Sequence, residues 1–244
     1  MARAGIGRSL EGVHAVDAAL RAGRVTHLTI DRRRSDNETI VSLIGLARSV
    51  GVSVDLVDDV RSMAVTTAPQ GVIASARPLP SRTLDDLLLT VSPPALLVLD
   101  KVQDPRNVGA AARSALAAGM GGMIVAERRS APLNAAAFKA AAGALERLGV
   151  AFVGSIAEAI RRLRDANIWT VGLEENAEQS LFGLSLLSNP VAVVIGAEGK
   201  GLSRLVRDRV DVLACIPMTD SVESLNVSTA ATLAVFEVAR VRAG

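Results

Sequence analysis

The sequence predicts an α/β protein built in two parts, the larger one around a parallel sheet. Three observations lead there. From Ala95 onward, short apolar runs alternate with helix-like stretches, as successive βα units do. Those runs are apolar at consecutive positions rather than at every second one, so both faces of the strands are expected to be covered. Residues 1–76 carry a smaller and less regular alternation, set off by the proline-rich stretch 77–94.

In chain order, the first part opens with a helix-like pattern, "SLEGVHAVDAALRAG", followed by the strand candidate "VTHLTID". A second helical pattern, "NETIVSLIGLARSVG", leads to "VSVDLV", and "QGVIASA" closes the segment. The connecting stretch "RPLPSRTLDDLLLTVSPP" reads as a linker with one short helix in "LDDLLL". Strands are then expected at "ALLVLDKV", "GGMIVAE", "VAFVG", "IWTVGL", "PVAVVIGAE" and "VLACIPM". Helices are expected at "NVGAAARSALAAG", "LNAAAFKAAAGALERL", "SIAEAIRRLRDAN" and "STAATLAVFEVARVR". The division is therefore 1–76, a linker 77–94, and 95–244.

Composition narrows the chemistry. Half of the 244 residues are hydrophobic but only five are aromatic, so the core must be built from Ala, Val, Leu and Ile. The formal charge is +2; the pI of about 9.2 overstates basicity, because little titrates between neutrality and high pH. One cysteine, Cys215, rules out an intrachain disulfide or a multi-cysteine zinc site, and its apolar surroundings mark a buried structural thiol. The N-terminus has no sustained apolar stretch and no run approaches a membrane span, so a soluble, cytoplasmic protein without a membrane partner is expected. Both histidines, His14 and His27, precede the regular domain. That domain therefore lacks a Ser-His-Asp arrangement, and a general base there must be a carboxylate, an unusual Arg or a group of the substrate.

Ligands of parallel sheets bind beyond the carboxyl ends of strands, and three polar loops lie there. "LDKVQDPRNVGAAARSALAAG" carries Asn107 and Arg113. Six residues turn a helix through about 600°, so the two need not share a face. Asn107 is expected at the helix entrance as a cap. Arg113, a guanidinium among small apolar residues, suits a phosphate or carboxylate. "VVIGAEGKGLS" has Gly196, Gly199 and Gly201 and lets backbone approach a ligand, but it is not a Walker loop, and Glu198 would repel a polyphosphate. "IPMTDSVESLNVSTAATLAVFE" puts polar groups, Ser224 and Asn226 among them, between a strand and an Ala-rich helix. The three loops could converge on one pocket.

These three motifs, in order, strongly resemble those of the SpoU/TrmH family of RNA ribose 2′-O-methyltransferases. "EGVHAVDAAL" and "QGVIASARP" resemble its N-terminal substrate-binding domain, itself similar to ribosomal protein L30e. "RSAPLNAAAFKAAAGA" and "ANIWTVGL" look closest to the branch that modifies a guanosine of 23S rRNA. The resemblance implies an L30e-like domain followed by a parallel-sheet methyltransferase domain whose C-terminal segment forms a deep trefoil knot. It implies an obligate homodimer acting on RNA, with S-adenosylmethionine bound in the knot and no metal. Carried over residue by residue, Gly196, Ile216 and Leu225 should meet the cofactor. Asn107, Arg113, Glu198, Ser224 and Asn226 should form the catalytic and structural shell. Arg113 is expected to act on RNA phosphate or ribose, Asn107 to orient Arg113 or the ribose, and Glu198 to hold the loop or an interface partner. Related tRNA and drug-resistance methylases share the motifs; outside the class, a silent RNA-binding protein is the alternative. No aromatic side chain appears spare for base stacking, so Arg8, Arg32, Arg33, Arg34 and His14 are the candidates for reading RNA shape and backbone. His14 lies on an apolar helical pattern, which favours a core or capping role for it, and "DRRRSD" reads equally well as a solvated turn.

Overall fold

The computed structural model describes residues 6–219 and 224–244. Its first part contains β1 (Ser9–Glu11), α1 (Val13–Arg21), β2 (Val25–Asp31), α2 (Glu38–Ser49), β3 (Ser53–Val57) and β4 (Val72–Ala76). The sheet runs in the order β1-β4-β2-β3, antiparallel except for the β2–β3 pair. The helical pattern at Ser9 breaks into strand and helix because Gly12 stands at φ 87°, in the left-handed region. A substituent there would also meet the Gln70 side chain.

The second part contains α3 (Leu84–Leu88), β5 (Ala95–Leu99), α4 (Pro105–Ala117), β6 (Gly122–Ala126), α5 (Ala135–Ala141), β7 (Gly149–Val153) and α6 (Ile156–Asp165). It continues through β8 (Trp169–Leu173), β9 (Gln179–Ser180), β10 (Val191–Ile195), α7 (Arg204–Arg207), β11 (Val212–Cys215) and α8 (Val227–Arg242). Among the described residues its seven strands lie in the order β7-β6-β5-β10-β8-β11-β9, and every pairing is parallel. Both faces are covered, as the apolar runs require. Leu96 and Val98 turn to a cluster with Ile160 and Leu163 of α6. Leu97 and Leu99 turn to one with Ala111 and Ala115 of α4 and Val235 of α8.

Small residues in α4 have a packing cause. A Cβ on Gly109 would stand 2.1 Å from the carbonyl oxygen of Ala137, so the backbones of α4 and α5 touch. The long helix expected over 133–148 is cut after Ala141: Ala142 (φ 47°) and Gly143 (φ 90°) turn left-handed, and a Cβ on Gly143 would stand 2.7 Å from Ala18 of α1. Cys215 is half-buried rather than buried. Among the described residues no helix is long and apolar enough to cross a membrane.

One apolar cluster runs continuously from Leu10, Val16 and Ala19 into Phe138, Ala141 and the large sheet. Across it lies a buried ion pair. Arg24 donates from Nε and Nη2 to the Glu146 carboxylate, at 2.7 and 2.5 Å, and from Nη1 to the Gly7 and Arg77 carbonyls. Its guanidinium also lies over the Phe138 ring, 5.6 Å from the centroid. The two side chains are 8 % and 2 % exposed, so losing one partner leaves a buried charge uncompensated. Glu146→Ala should therefore lower unfolding free energy by about 3–5 kcal/mol in urea titration. Arg24→Met combined with Glu146→Leu should recover most of that loss. A loss below about 1 kcal/mol for the single variant would show that this pair does not tie the two parts together.

Candidate active site

The glycine-rich turn after β10 is built on contact between backbones. A Cβ on Gly196 would stand 2.1 Å from the carbonyl carbon of Gly201 and 2.4 Å from the Leu202 nitrogen, so no side chain fits. Ala197 and Gly201 face each other across the turn, exchanging N–H···O bonds of 3.0 and 2.9 Å. Gly199 and Gly201 adopt φ values of 69° and 60°, which glycine reaches without a Cβ penalty. The exit of the turn is held by Asp100, at the end of β5. Its backbone N–H donates to Ile195 O at 2.8 Å, and its carboxylate accepts from Ser203 N–H at 2.7 Å. Asp100 is 3 % exposed.

A cleft of about 400 Å³ opens over the carboxyl ends of β8, β10 and β11, represented by Leu173, Ile195 and Ile216. Gly196 through Gly201 form one wall, and Ser224, Leu225 and Val227 another. Of the residues expected at the site, Gly196, Glu198, Ile216, Ser224 and Leu225 all border this cleft. Asp220 to Glu223 of the third motif lie outside the described residues. Three carboxylates, Glu174, Glu175 and Glu198, stand among the lining residues against one amine, Lys200. Glu174 faces Arg207 at 3.7 Å. This balance suits a ligand with cationic or hydroxyl groups and disfavours a polyphosphate.

Asn107 and Asn226 join the first loop to the third. Asn226 caps α8, its Oδ1 accepting from the Ser228 N–H and hydroxyl at 2.9 and 2.6 Å. That fixes the amide so that Nδ2 donates to Asn107 Oδ1 at 3.2 Å. Asn107 itself is not a cap: Asp104 accepts the Arg106 N–H at 2.8 Å ahead of Pro105, and Asn107 falls inside the first turn of α4. Arg106 also grips Asp104, and this holds the Asp104 carboxyl below its usual range. Farther along α4, Arg113 is exposed and has no ion-pair partner among the described residues. Its neighbour Ser114 is hydrogen-bonded to Thr232 at 2.7 Å, fastening α4 to α8.

Several expectations need correction. The glycine turn is held among the described residues by Asp100, which the expectation did not include, while Glu198 lies exposed on the cleft wall. His14 is exposed rather than a core or capping residue. Arg32 faces Asp58 at 3.6 Å, and Arg33 pairs with Asp31 and Asp59 at 3.0 and 3.3 Å, so two of the three consecutive arginines are engaged by acids. Arg8 and Arg34 are exposed without such partners among the described residues. Aromatic side chains are also not all used up by the core: Trp169, Phe182 and Phe236 are 46, 44 and 47 % exposed. Asp100 escaped the sequence reading, although a lone acid ending the fully apolar run "ALLVLD" is the signal that could have found it.

This arrangement defines a class: a parallel α/β enzyme with its ligand cleft walled by the loops after β10 and β11, carrying a smaller α/β unit in front. Two crystal structures share it over nearly the whole chain. The SpoU methyltransferase AviRb from Streptomyces viridochromogenes, in complex with the cofactor AdoMet, superposes with a TM-score of 0.82 at 27 % identity, covering 96 % of this chain and 90 % of its own. An RNA 2′-O ribose methyltransferase does so with 0.82 at 26 %, covering 96 % and 88 %. Residues 94–236 match the SpoU rRNA methylase family, and residues 9–82 match the RNA 2′-O ribose methyltransferase substrate-binding domain. The chain belongs to the SpoU rRNA methylase family. Among its relatives are the 23S rRNA (guanosine-2′-O-)-methyltransferases RlmB of Escherichia coli K12 and Photorhabdus laumondii. Each is 40 % identical over 95 % of this chain and 97 % of its own length.

The glycine turn makes a direct test. Gly196→Ala should cost about 1–3 kcal/mol of stability through overpacking. In calorimetric titration with AdoMet it should weaken binding tenfold or more. Wild-type values for both would mean that the turn has room the structure denies it.

Proposed function

We propose that this protein transfers a methyl group from S-adenosylmethionine to the 2′-hydroxyl of a ribose in RNA, the substrate being a guanosine of 23S rRNA. The observation that carries this reading is the likeness to RlmB enzymes at 40 % identity along 95 % of the chain. The cleft fits the cofactor by its chemistry. Backbone groups at Gly196, Ile216 and Leu225 and apolar side chains such as Val227 offer contacts to a purine nucleoside, while Glu174, Glu175 and Glu198 favour its positive charges. The cofactor, when bound, supplies an electrophilic methyl group.

What the chain must add is position and control of one proton. Arg113 holds the RNA phosphate or ribose beside the cleft. A guanidinium stays protonated, so it acts by binding and by stabilising charge. The hydroxyl proton passes to water or to a phosphate oxygen of the RNA as the methyl group leaves the sulfonium, which becomes a neutral thioether. Asn107 and Asn226, locked together by their hydrogen bond, keep the α4 and α8 entrances in register, so that Arg113 and Ser224 face the substrate from fixed frames. Glu198 and Ser224 complete the shell around the reacting groups. Residues 1–76 form the RNA-binding unit, 77–94 the linker and 95–244 the methyltransferase unit.

Two further features belong to this reading. The C-terminal part of the methyltransferase unit forms a trefoil knot. What supports this is membership of the SpoU rRNA methylase family and the superposition on AviRb over nearly the whole chain. The active form is a cytoplasmic homodimer, with Phe236 on the open side of α8 available to a second copy.

Incubation with labelled S-adenosylmethionine and separated 23S rRNA, 16S rRNA and tRNA, followed by ribose mapping, should place the label on a 23S guanosine 2′-oxygen. No transfer to any RNA despite cofactor binding would reject the enzyme. Arg113→Ala should lower turnover by roughly 10²- to 10³-fold while leaving the AdoMet dissociation constant within a few-fold of wild type. Activity surviving nearly intact would remove Arg113 from the site. Sedimentation at micromolar concentration should give twice the 25.3 kDa of one chain, and a monomer there would contradict the dimer.

A further inference from the structure

A second cleft, of about 310 Å³, lies in the N-terminal part between the first turns of α1 and α2. Its polar lining is His14, Arg34, Asn37, Thr39 and Gln70 over an apolar floor of Val13 and Ile40. The charge balance reverses that of the methyl-donor cleft: no carboxylate is among its lining residues.

Hydrogen-bond bookkeeping shows what this cleft offers. Asn37 Oδ1 is spent on the Thr39 and Ile40 N–H groups at 3.1 and 3.4 Å, capping α2. Gln70 Oε1 is spent on the Val13 N–H at 3.1 Å, at the start of α1. Both amides are thereby oriented, and their NH₂ groups have no acceptor among the described residues. Arg34 adds a guanidinium without an ion-pair partner there, unlike Arg32 and Arg33 beside it. The oriented groups are donors, so a ligand for this place is rich in acceptors and negative.

Local backbone geometry shows that the arrangement is built rather than incidental. Gln70 has φ 62°, a left-handed conformation that costs a residue with a side chain. The next residue, Gly71, has φ 82°, and a Cβ there would stand 2.6 Å from Arg34 Cδ, so the arginine stem lies across bare backbone. Buried Glu11 fixes the loop leading to this point, accepting from the N–H groups of Val65 and Thr66 at 2.5 and 3.0 Å and from the Thr66 hydroxyl.

We infer that the cleft bordered by His14, Arg34, Asn37 and Gln70 binds one unpaired nucleotide of the RNA substrate, with its phosphate on Arg34 and its acceptor groups on the Asn37 and Gln70 amides. This rests on the reading of the chain as an RNA-directed enzyme and of residues 9–82 as its substrate-binding domain. It places sequence-independent grip in one socket rather than across a basic face.

The test uses the full-length protein and in vitro transcribed 23S rRNA, with filter binding over a range of KCl. Arg34→Ala should weaken binding roughly five- to tenfold near 100 mM salt, and flatten the slope of log K against log salt by about 0.7, one phosphate's worth on single-stranded RNA. Arg34→Lys should restore the slope. Arg48→Ala, which removes an equal charge at the other end of α2 and outside the cleft, should do neither. AdoMet affinity and the single-turnover rate at saturating RNA should stay at wild-type values in every variant. Wild-type binding and slope for Arg34→Ala would overturn the inference, as would an equal loss for Arg48→Ala. Displacement of the rRNA by millimolar inorganic phosphate, with guanosine monophosphate no more effective than phosphate, would instead identify a small-anion site and reject the RNA assignment. Methyl transfer by the wild type reports separately: transfer with no effect of Arg34 removes the cleft alone, and an Arg34-dependent slope without transfer removes the enzyme reading alone.

Discussion

At Gly196 and Gly201 two runs of backbone meet with no side chain between them, and the cleft over the large sheet depends on that contact. The turn closes because Ala197 and Gly201 satisfy each other's amides and because a buried carboxylate, Asp100, takes the Ser203 N–H at the exit. A group so deeply buried normally costs several kcal/mol unless its hydrogen bonds are made. Here they are made to the one loop whose shape matters. The strand β5 supplies the acid, β10 supplies the turn, and their parallel pairing sets the distance between them. The same pairing delivers the α4 entrance, with Asn107, to the side of the cleft where Asn226 begins α8.

Electrostatics then divides labour between the two parts. The cleft at the large sheet is lined by carboxylates and holds a single amine. The cleft between α1 and α2 is lined by donors and holds no carboxylate. Two clefts of opposite electrostatic character thus coexist on one molecule whose net charge is close to neutral. Total charge and pI carried no trace of this, since they average over surfaces that act separately.

Much of the fold was legible because apolar runs and Ala-rich helices state their burial directly: "ALLVL" and "VAVVI" could only be interior strands. The three loops were legible because polar and glycine residues stand out at the ends of otherwise apolar strands. What stayed hidden depended on contacts distant in sequence. Nothing near Ser9 announces that Gly12 turns the chain, because the Gln70 side chain that fills its space comes 58 residues later. The interruption of α5 at Ala142 answers to Ala18 on another helix. The arginine triplet reads as one basic patch until Asp58 and Asp59 arrive from beyond β3 to occupy two of its members. Asn107 looked like a cap because it precedes an apolar stretch; Asp104 before Pro105 was the stronger starting signal.

The ion pair between Arg24 and Glu146, with Phe138 beneath it, also bears on how the chain is made. The flank formed by Gly7, β1 and α1 is covered by α5 and the turn after it, more than a hundred residues downstream. During synthesis at roughly 5–20 residues per second that flank waits on the order of ten seconds for its partner. Over that interval Arg24 has water rather than Glu146 as its neighbour, and the apolar side chains around it are open to whatever else is nearby. The contact that makes one body of the finished molecule thus also sets the earliest moment at which its first-made part can finish folding.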